Sequence, residues 1–152
     1  MEKYKKGFTL IELIVVIGII ALLASIVLMF LGDAKNKGND TAKIQTISDI
    51  RKALQSYAVD FGGFPATSAE LTTKYIASID SKVLYEGIDI SGNTCTVSPC
   101  PSYHLAIPLQ SKDNKVLSSD ANITTTLIDG KKDNCSTTGN ISIPDLCYDV
   151  TP

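Results

Sequence analysis

The chain has 152 residues and a formal net charge of −2, from 14 basic and 16 acidic side chains. This length leaves room for one modest domain beyond any membrane anchor. The near-neutral charge gives no sign of a nucleic-acid-binding surface, so we expect no nucleic-acid partner.

A short basic segment, residues 1–7, opens the chain and ends at Gly7. It carries Lys3, Lys5 and Lys6 directly before an apolar region. Basic residues beside a membrane span favour the cytoplasmic side. We therefore expect a single-pass protein whose N-terminus is cytoplasmic and whose bulk lies outside.

An uncharged run follows from Leu13 to Leu31. As a helix this run would rise about 28 Å, close to the ~30 Å hydrocarbon thickness of a bilayer, so it can span a membrane. An ordinary signal anchor or a secretory signal peptide is the alternative interpretation. A secretory peptide, however, has a shorter apolar region of about 7–15 residues, with a small-residue cleavage site after it.

Glu12 stands at the leading edge of this run, where a carboxylate carried into the bilayer costs roughly 2.5–3.5 kcal/mol. A cut between Gly7 and Phe8 would place a new ammonium on Phe8, four residues before Glu12. Residues four apart lie on one helix face, so the two charges can pair within one chain or between neighbouring chains. The second arrangement would make the anchor an assembly element.

The segment from Gly7 to Glu12, with the apolar helix behind it, resembles the N-terminal motif of type IV pilins and pseudopilins. The segment from Ser48 to Pro65 resembles the one that this family carries at the same distance. The resemblance implies cleavage between Gly7 and Phe8 by prepilin peptidase, N-methylation of Phe8, and assembly through Phe8 and Glu12.

The resemblance also implies partners and location. The partners are further copies of the chain in a helical filament, prepilin peptidase, an inner-membrane assembly platform, and membrane lipid before assembly. The subunit would start in the cytoplasmic membrane and end in an extracellular or periplasmic filament. A type IV pilus or pilus-like filament is the leading hypothesis, and a major pseudopilin of a type II secretion system is the alternative. A further alternative is a non-polymerising single-pass protein with an exterior ligand-binding or enzymatic domain.

Helical periodicity resumes after Gly32 and Gly38, each of which lowers helix propensity by roughly 1 kcal/mol relative to alanine. The apolar stripe consists of Ile47, Ile50, Leu54, Tyr57 and Phe61. It predicts an amphipathic helix that covers a globular domain, with Phe64 also in the core. Gly62 can provide a left-handed cap, and Pro65 cannot continue the helix. If both halves join, one helix runs from Phe8 to about Asp60.

In the remaining chain, Thr67–Glu70 is a capping-box pattern that predicts a short helix through about Ala77. Residues 79–92 give no clear period. Tyr103–Leu109 alternates and predicts a strand whose odd-numbered residues face the core. Pro108 lacks an N–H donor, so this strand lies at an edge or ends there.

Weaker signals follow this strand. Lys112–Lys115 predicts a turn before Val116–Leu117, which would complete a hairpin, and Ile123–Ile128 and Leu146–Val150 are further candidate strands. The expected architecture is α+β, a pilin fold with a long N-terminal helix on a small antiparallel sheet. The expected domains are residues 1–7 (leader, removed), 8–31 (transmembrane and assembly helix), 32–65 (amphipathic half of the helix and its end) and 66–152 (globular head).

Four cysteines agree with an oxidising exterior. Their spacing favours two local disulfides, Cys95–Cys100 and Cys135–Cys147, although four cysteines allow three connectivities. A zinc site is the alternative, but the chain has no Cys-x-x-Cys pair.

The sequence contains no nucleophile elbow, phosphate-binding loop or metal-ligand cluster, so we expect neither an enzyme nor a cofactor or metal. His104, the single histidine, lies opposite the predicted core face and is expected at the solvated surface. An acidic group after residue 128 is a weak candidate for calcium, with solvated loop carboxylates the leading interpretation. Its members are Asp129, Asp133, Asn134, Asp145 and Asp149.

Overall fold

The structure, a computed structural model, describes residues 7–72, 74–132, 134–135 and 146–152. Its elements are helix α1 (Leu10–Phe61), a 3-10 helix (Ser68–Leu71), strand β1 (Leu84–Ile88), strand β2 (Ser102–Pro108), a second 3-10 helix (Lys115–Ser118) and strand β3 (Cys147–Val150). The predicted α+β architecture is confirmed. The chain divides into two compact units between Lys35 and Asn36.

Helix α1 is continuous through both weak points, Gly32 and Gly38, so the two predicted halves form one helix of 52 residues. It ends at Phe61, and Gly62 follows with a positive φ of 79°. The N–H of Gly62 donates to the carbonyl of Ala58 at 2.8 Å, which closes the last turn. Glycine adopts this left-handed conformation without a Cβ penalty, as expected from the sequence.

The predicted apolar stripe covers the sheet. Four of its members, Ile47, Ile50, Leu54 and Tyr57, are buried in one core cluster with alternate residues of β2. Each fully buried aliphatic side chain contributes about 1.5–3 kcal/mol to this packing. The expectation for Phe61 was wrong, because its side chain is 54% exposed. Its ring packs on the ring of Tyr57, with centroids 4.5 Å apart, rather than on the sheet.

Strand β2 is the centre of a three-stranded antiparallel sheet in the order β1-β2-β3. The edge-strand interpretation is therefore wrong. The other expectation, that the strand ends at Pro108, is confirmed, since β2 ends at this residue, which lacks an N–H donor. The candidate strand at Leu146–Val150 is confirmed as β3.

Strand β1 was not predicted, because Gly87 interrupts its apolar pattern. A Cβ at Gly87 would lie 2.9 Å from the carbonyl oxygen of Pro65 and 3.0 Å from Sγ of Cys100. Glycine therefore allows these neighbouring segments to pass close to β1.

Three predicted elements differ from the structure. The helix after Thr67 stops at Leu71, and the Thr72 hydroxyl donates to the Ala69 carbonyl at 2.8 Å, which ends it as a 3-10 turn. No hairpin forms after β2, because Asn114 caps a 3-10 helix instead. Residues 123–128 are not a strand, because the N–H of Thr125 closes a turn onto the carbonyl of Ile128.

The two disulfides of the structure are the local ones that the spacing favours, Cys95–Cys100 and Cys135–Cys147. The second belongs to a smaller core cluster with Ala106 and Ile128, on the opposite face of β2 from the helix. Both faces of the sheet are therefore covered.

Candidate assembly site at the start of the helix

Helix α1 begins at Leu10, with Thr9 as the residue before it and Glu12 in its first turn. The backbone N–H and the hydroxyl of Thr9 both donate to Oε2 of Glu12 at 2.8 Å. The N–H of Glu12 points back to the Thr9 hydroxyl oxygen at 3.3 Å. This reciprocal pair is a capping box, and it places the Glu12 carboxylate at the positive end of the helix dipole.

Thr9 is a hydrogen-bond partner of Glu12 that the sequence interpretation of Glu12 left out. The signal was present, since Thr-x-x-Glu directly before an apolar run is the pattern of a capping box. In the part of the chain that the structure describes, Glu12 forms no ion pair. Its described partners come from its own helix terminus.

Phe8 and Glu12 share one surface. They line a shallow depression on the helix with Ile11, Val15 and Val16. The Phe8 side chain is 89% exposed. The structure thus brings together the two residues that the sequence assigns to assembly, with aliphatic side chains beside the carboxylate.

The apolar side chains that continue this surface are exposed as far as Leu31 wherever the structure describes them. By length and composition, α1 is the one described helix suited to crossing a membrane. Exposed apolar surface of this extent marks a contact with lipid or with other protein.

Known proteins share this N-terminal segment. Residues 3–28 match the family model described as the prokaryotic N-terminal methylation motif. The type IV wide pilus major component PilA4 of Thermus thermophilus is 34% identical over 89 residues, which cover 59% of this chain and 68% of that protein. The chain belongs to the type IV pilin family.

Other relatives of this pilin come from two kinds of system. A fimbrial protein of Neisseria meningitidis is 32% identical over 90 residues, 54% of this chain and 53% of that protein. The type II secretion system core protein G of Dickeya chrysanthemi is 35% identical over 71 residues, 47% of this chain and 46% of that protein. The pilin spans about half the length of these two relatives. No solved structure matches it significantly.

Elsewhere in the pilin, two expectations for ionisable residues were wrong. His104 and Asp149 are fully buried rather than solvated. Asp149 accepts hydrogen bonds from the backbone N–H groups of Asn122 at 2.9 Å and Ile123 at 3.1 Å. The residues that the structure describes contain no group of three metal-ligating side chains, and Asp133 and Asp145 of the acidic group lie outside them.

Proposed function

We propose that this pilin is a structural subunit of a type IV pilus or pilus-like filament. Prepilin peptidase cuts between Gly7 and Phe8, Phe8 is N-methylated, and subunits polymerise through the apolar part of α1. One observation carries the proposal: a carboxylate, Glu12, lies at the start of an exposed apolar helix, within the residues that match the N-terminal methylation motif.

The proposed role of Glu12 has two stages. Before assembly, Thr9 satisfies one carboxylate oxygen, which lowers the cost of holding Glu12 at the membrane. During assembly, the new ammonium of Phe8 from a neighbouring subunit pairs with the carboxylate and neutralises both charges inside the apolar bundle. N-methylation keeps this amine cationic, so the pairing survives it.

The topology follows from the charges of residues 1–7. The basic leader stays in the cytoplasm, α1 crosses the cytoplasmic membrane once, and the unit from Asn36 onward lies outside. Lipid surrounds the apolar part of α1, up to Leu31, until an inner-membrane assembly platform extracts the subunit into an extracellular or periplasmic filament.

A second candidate function is the major pseudopilin of a type II secretion system. The similarity to type II secretion system core protein G supports it. Immunogold labelling of intact cells separates the two. Surface filaments that carry this chain support the pilus, whereas labelling confined to the periplasm together with a secretion defect on deletion supports the pseudopilus.

Mass spectrometry of the N-terminus tests processing. A mature chain that begins with N-methylated Phe8 is expected in cells with an active prepilin peptidase. If cells with an active prepilin peptidase instead retain residues 1–7 on this chain, the result supports the non-polymerising single-pass protein.

Charge pairing is tested by replacing Glu12 in cells that express the assembly machinery. Glu12→Ala should be processed normally but enter filaments about tenfold less, because the Phe8 ammonium then lacks its partner. Glu12→Gln separates charge from capping, since glutamine still accepts from Thr9. Ser25→Ala is a matched control, because it also removes a polar side chain from the exposed part of α1. Wild-type filament levels with both Glu12 variants would rule out the pairing.

A further inference from the structure

Two lysine-bearing segments that are distant in sequence come together in the unit from Asn36 onward. Lys37 lies on α1, and Lys112 and Lys115 lie in the segment that follows strand β2. All three side chains belong to exposed residues. We call these three lysines the basic rim.

A buried carboxylate on α1 joins the two segments. The two oxygens of Asp40 accept the backbone N–H groups of Gln110 and Ser111 at 2.8 Å each. Lys37 precedes Asp40 by less than one turn of the helix, and Lys112 is the residue directly after Ser111. The fold thus places Lys37 and Lys112 beside one contact, although no basic run in the sequence links them.

The third lysine stays close to this contact because the segment turns back on itself. The N–H of Asn114 donates to the carbonyl of Ser111 at 3.4 Å, and Lys115 begins the second 3-10 helix directly after it. A further lysine, Lys43, fixes the segment from the helix side, because its Nζ donates to the carbonyl of Pro108. The position of the rim is therefore set by hydrogen bonds on both sides.

The charge of the rim faces solvent. Within the described residues no rim lysine forms an ion pair, whereas three other lysines of this unit do, namely Lys52 with Asp49, Lys74 with Asp60 and Lys132 with Asp129. The segment contributes one exposed carboxylate, Asp113. Asp40 is fully buried and accepts its two backbone N–H groups, so its charge is turned inward. The outer surface here is positive.

The rim is also close to the apolar part of α1 along the chain. Exposed apolar side chains run to Leu31, and Lys37 follows six residues later. Six residues span at most about 20 Å, whatever the conformation of the chain. The flexible stem of a lysine shortens the remaining distance, because it extends toward a lipid surface while its ammonium stays in water. Lys112 and Lys115 are far from the span in sequence, so they do not enter the charge count that sets topology.

We propose that the basic rim binds anionic lipid headgroups at the outer surface of the cytoplasmic membrane before the subunit is assembled. The proposal rests on the membrane anchoring of α1 proposed above. Each lysine close to an anionic surface adds to the attraction, and the phosphate oxygens of the headgroups accept from the ammonium groups. Extraction into a filament breaks these contacts, so the rim holds unassembled subunits at the membrane.

The test uses the full-length protein in nanodiscs that contain equal amounts of phosphatidylglycerol and phosphatidylcholine. Native mass spectrometry counts the lipids of each kind that stay bound. The preference for phosphatidylglycerol should fall about tenfold in the double variant Lys112→Gln with Lys115→Gln, because two ammonium groups are lost. The matched control, Lys82→Gln with Lys131→Gln, removes the same charge from exposed lysines outside the rim and should behave as wild type.

Salt provides a second measurement on the wild-type chain. Its preference for phosphatidylglycerol should decline toward that of the rim variant in about 1 M salt, because screening then acts over roughly 3 Å. Equal preferences in the wild type and the rim variant, or an equal loss in the control variant, would overturn the lipid contact. Failure of the chain to insert into nanodiscs would overturn the anchoring and the lipid contact together, whereas insertion without any preference would overturn the lipid contact alone.

Discussion

Asp40 shows how one buried carboxylate fixes the start of the head unit. It is fully buried on α1, and its two oxygens accept the backbone N–H groups of Gln110 and Ser111 at 2.8 Å each. Nearby on the helix, Nζ of Lys43 donates to the carbonyl of Pro108. Side chains of α1 thus hold the segment that follows β2 on the helix.

Asp40→Ala should lower the free energy of unfolding by about 2–4 kcal/mol, because two buried backbone donors lose their acceptor. Urea denaturation of the full-length protein in detergent, followed by circular dichroism, measures this change. The exposed Asp33→Ala is the matched control and should change it by less than about 0.5 kcal/mol. Equal effects of the two substitutions would show that Asp40 has no special role.

At the scale of elements, Glu70 connects three parts of the head. It lies in the first 3-10 helix and accepts the hydroxyls of Tyr57 on α1 at 2.9 Å and of Ser98 in the Cys95–Cys100 loop at 2.8 Å. Burial alone would raise the pKa of Glu70, but the hydroxyls of Ser98 and Tyr57 outweigh it and lower the pKa below the ordinary value of 4.5. The ionised form therefore stabilises this junction.

Because the pKa of Glu70 is lower in the folded chain than in the unfolded chain, its contribution to stability is present above about pH 4.5 and is lost as the pH falls further. Glu70→Gln should reduce the free energy of unfolding at neutral pH and flatten its decline in acid. Urea denaturation between about pH 3 and pH 7 tests this. Asp49 and Asp60, whose pKa values are also lowered by hydrogen bonds, should leave some acid dependence in the variant. Parallel pH profiles for variant and wild type would contradict the assignment.

The two disulfides should differ in their effect on stability. Cys135 and Cys147 are 12 residues apart, and Cys95 and Cys100 are 5 apart. Chain entropy predicts a loss of about 3 kcal/mol for the first pair and about 2 kcal/mol for the second, because a longer closed loop restricts the unfolded chain more. Replacing each pair by serine and comparing the two denaturation curves measures the difference. A larger loss for the Cys95–Cys100 pair would contradict this order.

At the scale of the whole molecule, the two units differ in how much of their apolar surface is exposed. Up to Leu31 the first unit presents exposed apolar side chains, whereas the unit from Asn36 has its own buried core and both disulfides. Exposed apolar surface of the extent seen in the first unit is typical of a region that contacts lipid or other protein.

A chain that begins at Asn36 should fold without detergent and remain monomeric. It keeps Asp40 and the whole helix stripe from Ile47 onward, so its core is complete. Size-exclusion chromatography and circular dichroism of this fragment test the expectation, with the full-length chain as the comparison that requires detergent. Aggregation or loss of helical signal in the fragment would show that the first unit contributes to folding.

Local patterns were enough to predict much of this molecule. The length and end of α1 follow from an apolar run, a 3.6-residue stripe and Gly62, all of which act within a few residues along the chain. Spacing predicted strand β2 in the same way and favoured the two disulfides that form, although it left three connectivities open. Family membership was also predicted from the segment between Gly7 and Glu12, because the residues of this motif are contiguous in sequence.

The errors arose where segments distant in sequence meet. The alternating pattern along β2 wrongly predicted that His104 is exposed to solvent, because no local pattern shows that residues 121–130 cover that face of the sheet. Strand β1 was missed because glycine at position 87 is required by close contacts with Pro65 and Cys100, which are distant in sequence, and not by its neighbours along the chain. The sequence by itself thus determined the helix, the N-terminal motif and the family. The tertiary structure alone decided the buried network of Glu86, His104 and Asp149, because burial of a side chain depends on which distant segment packs over it.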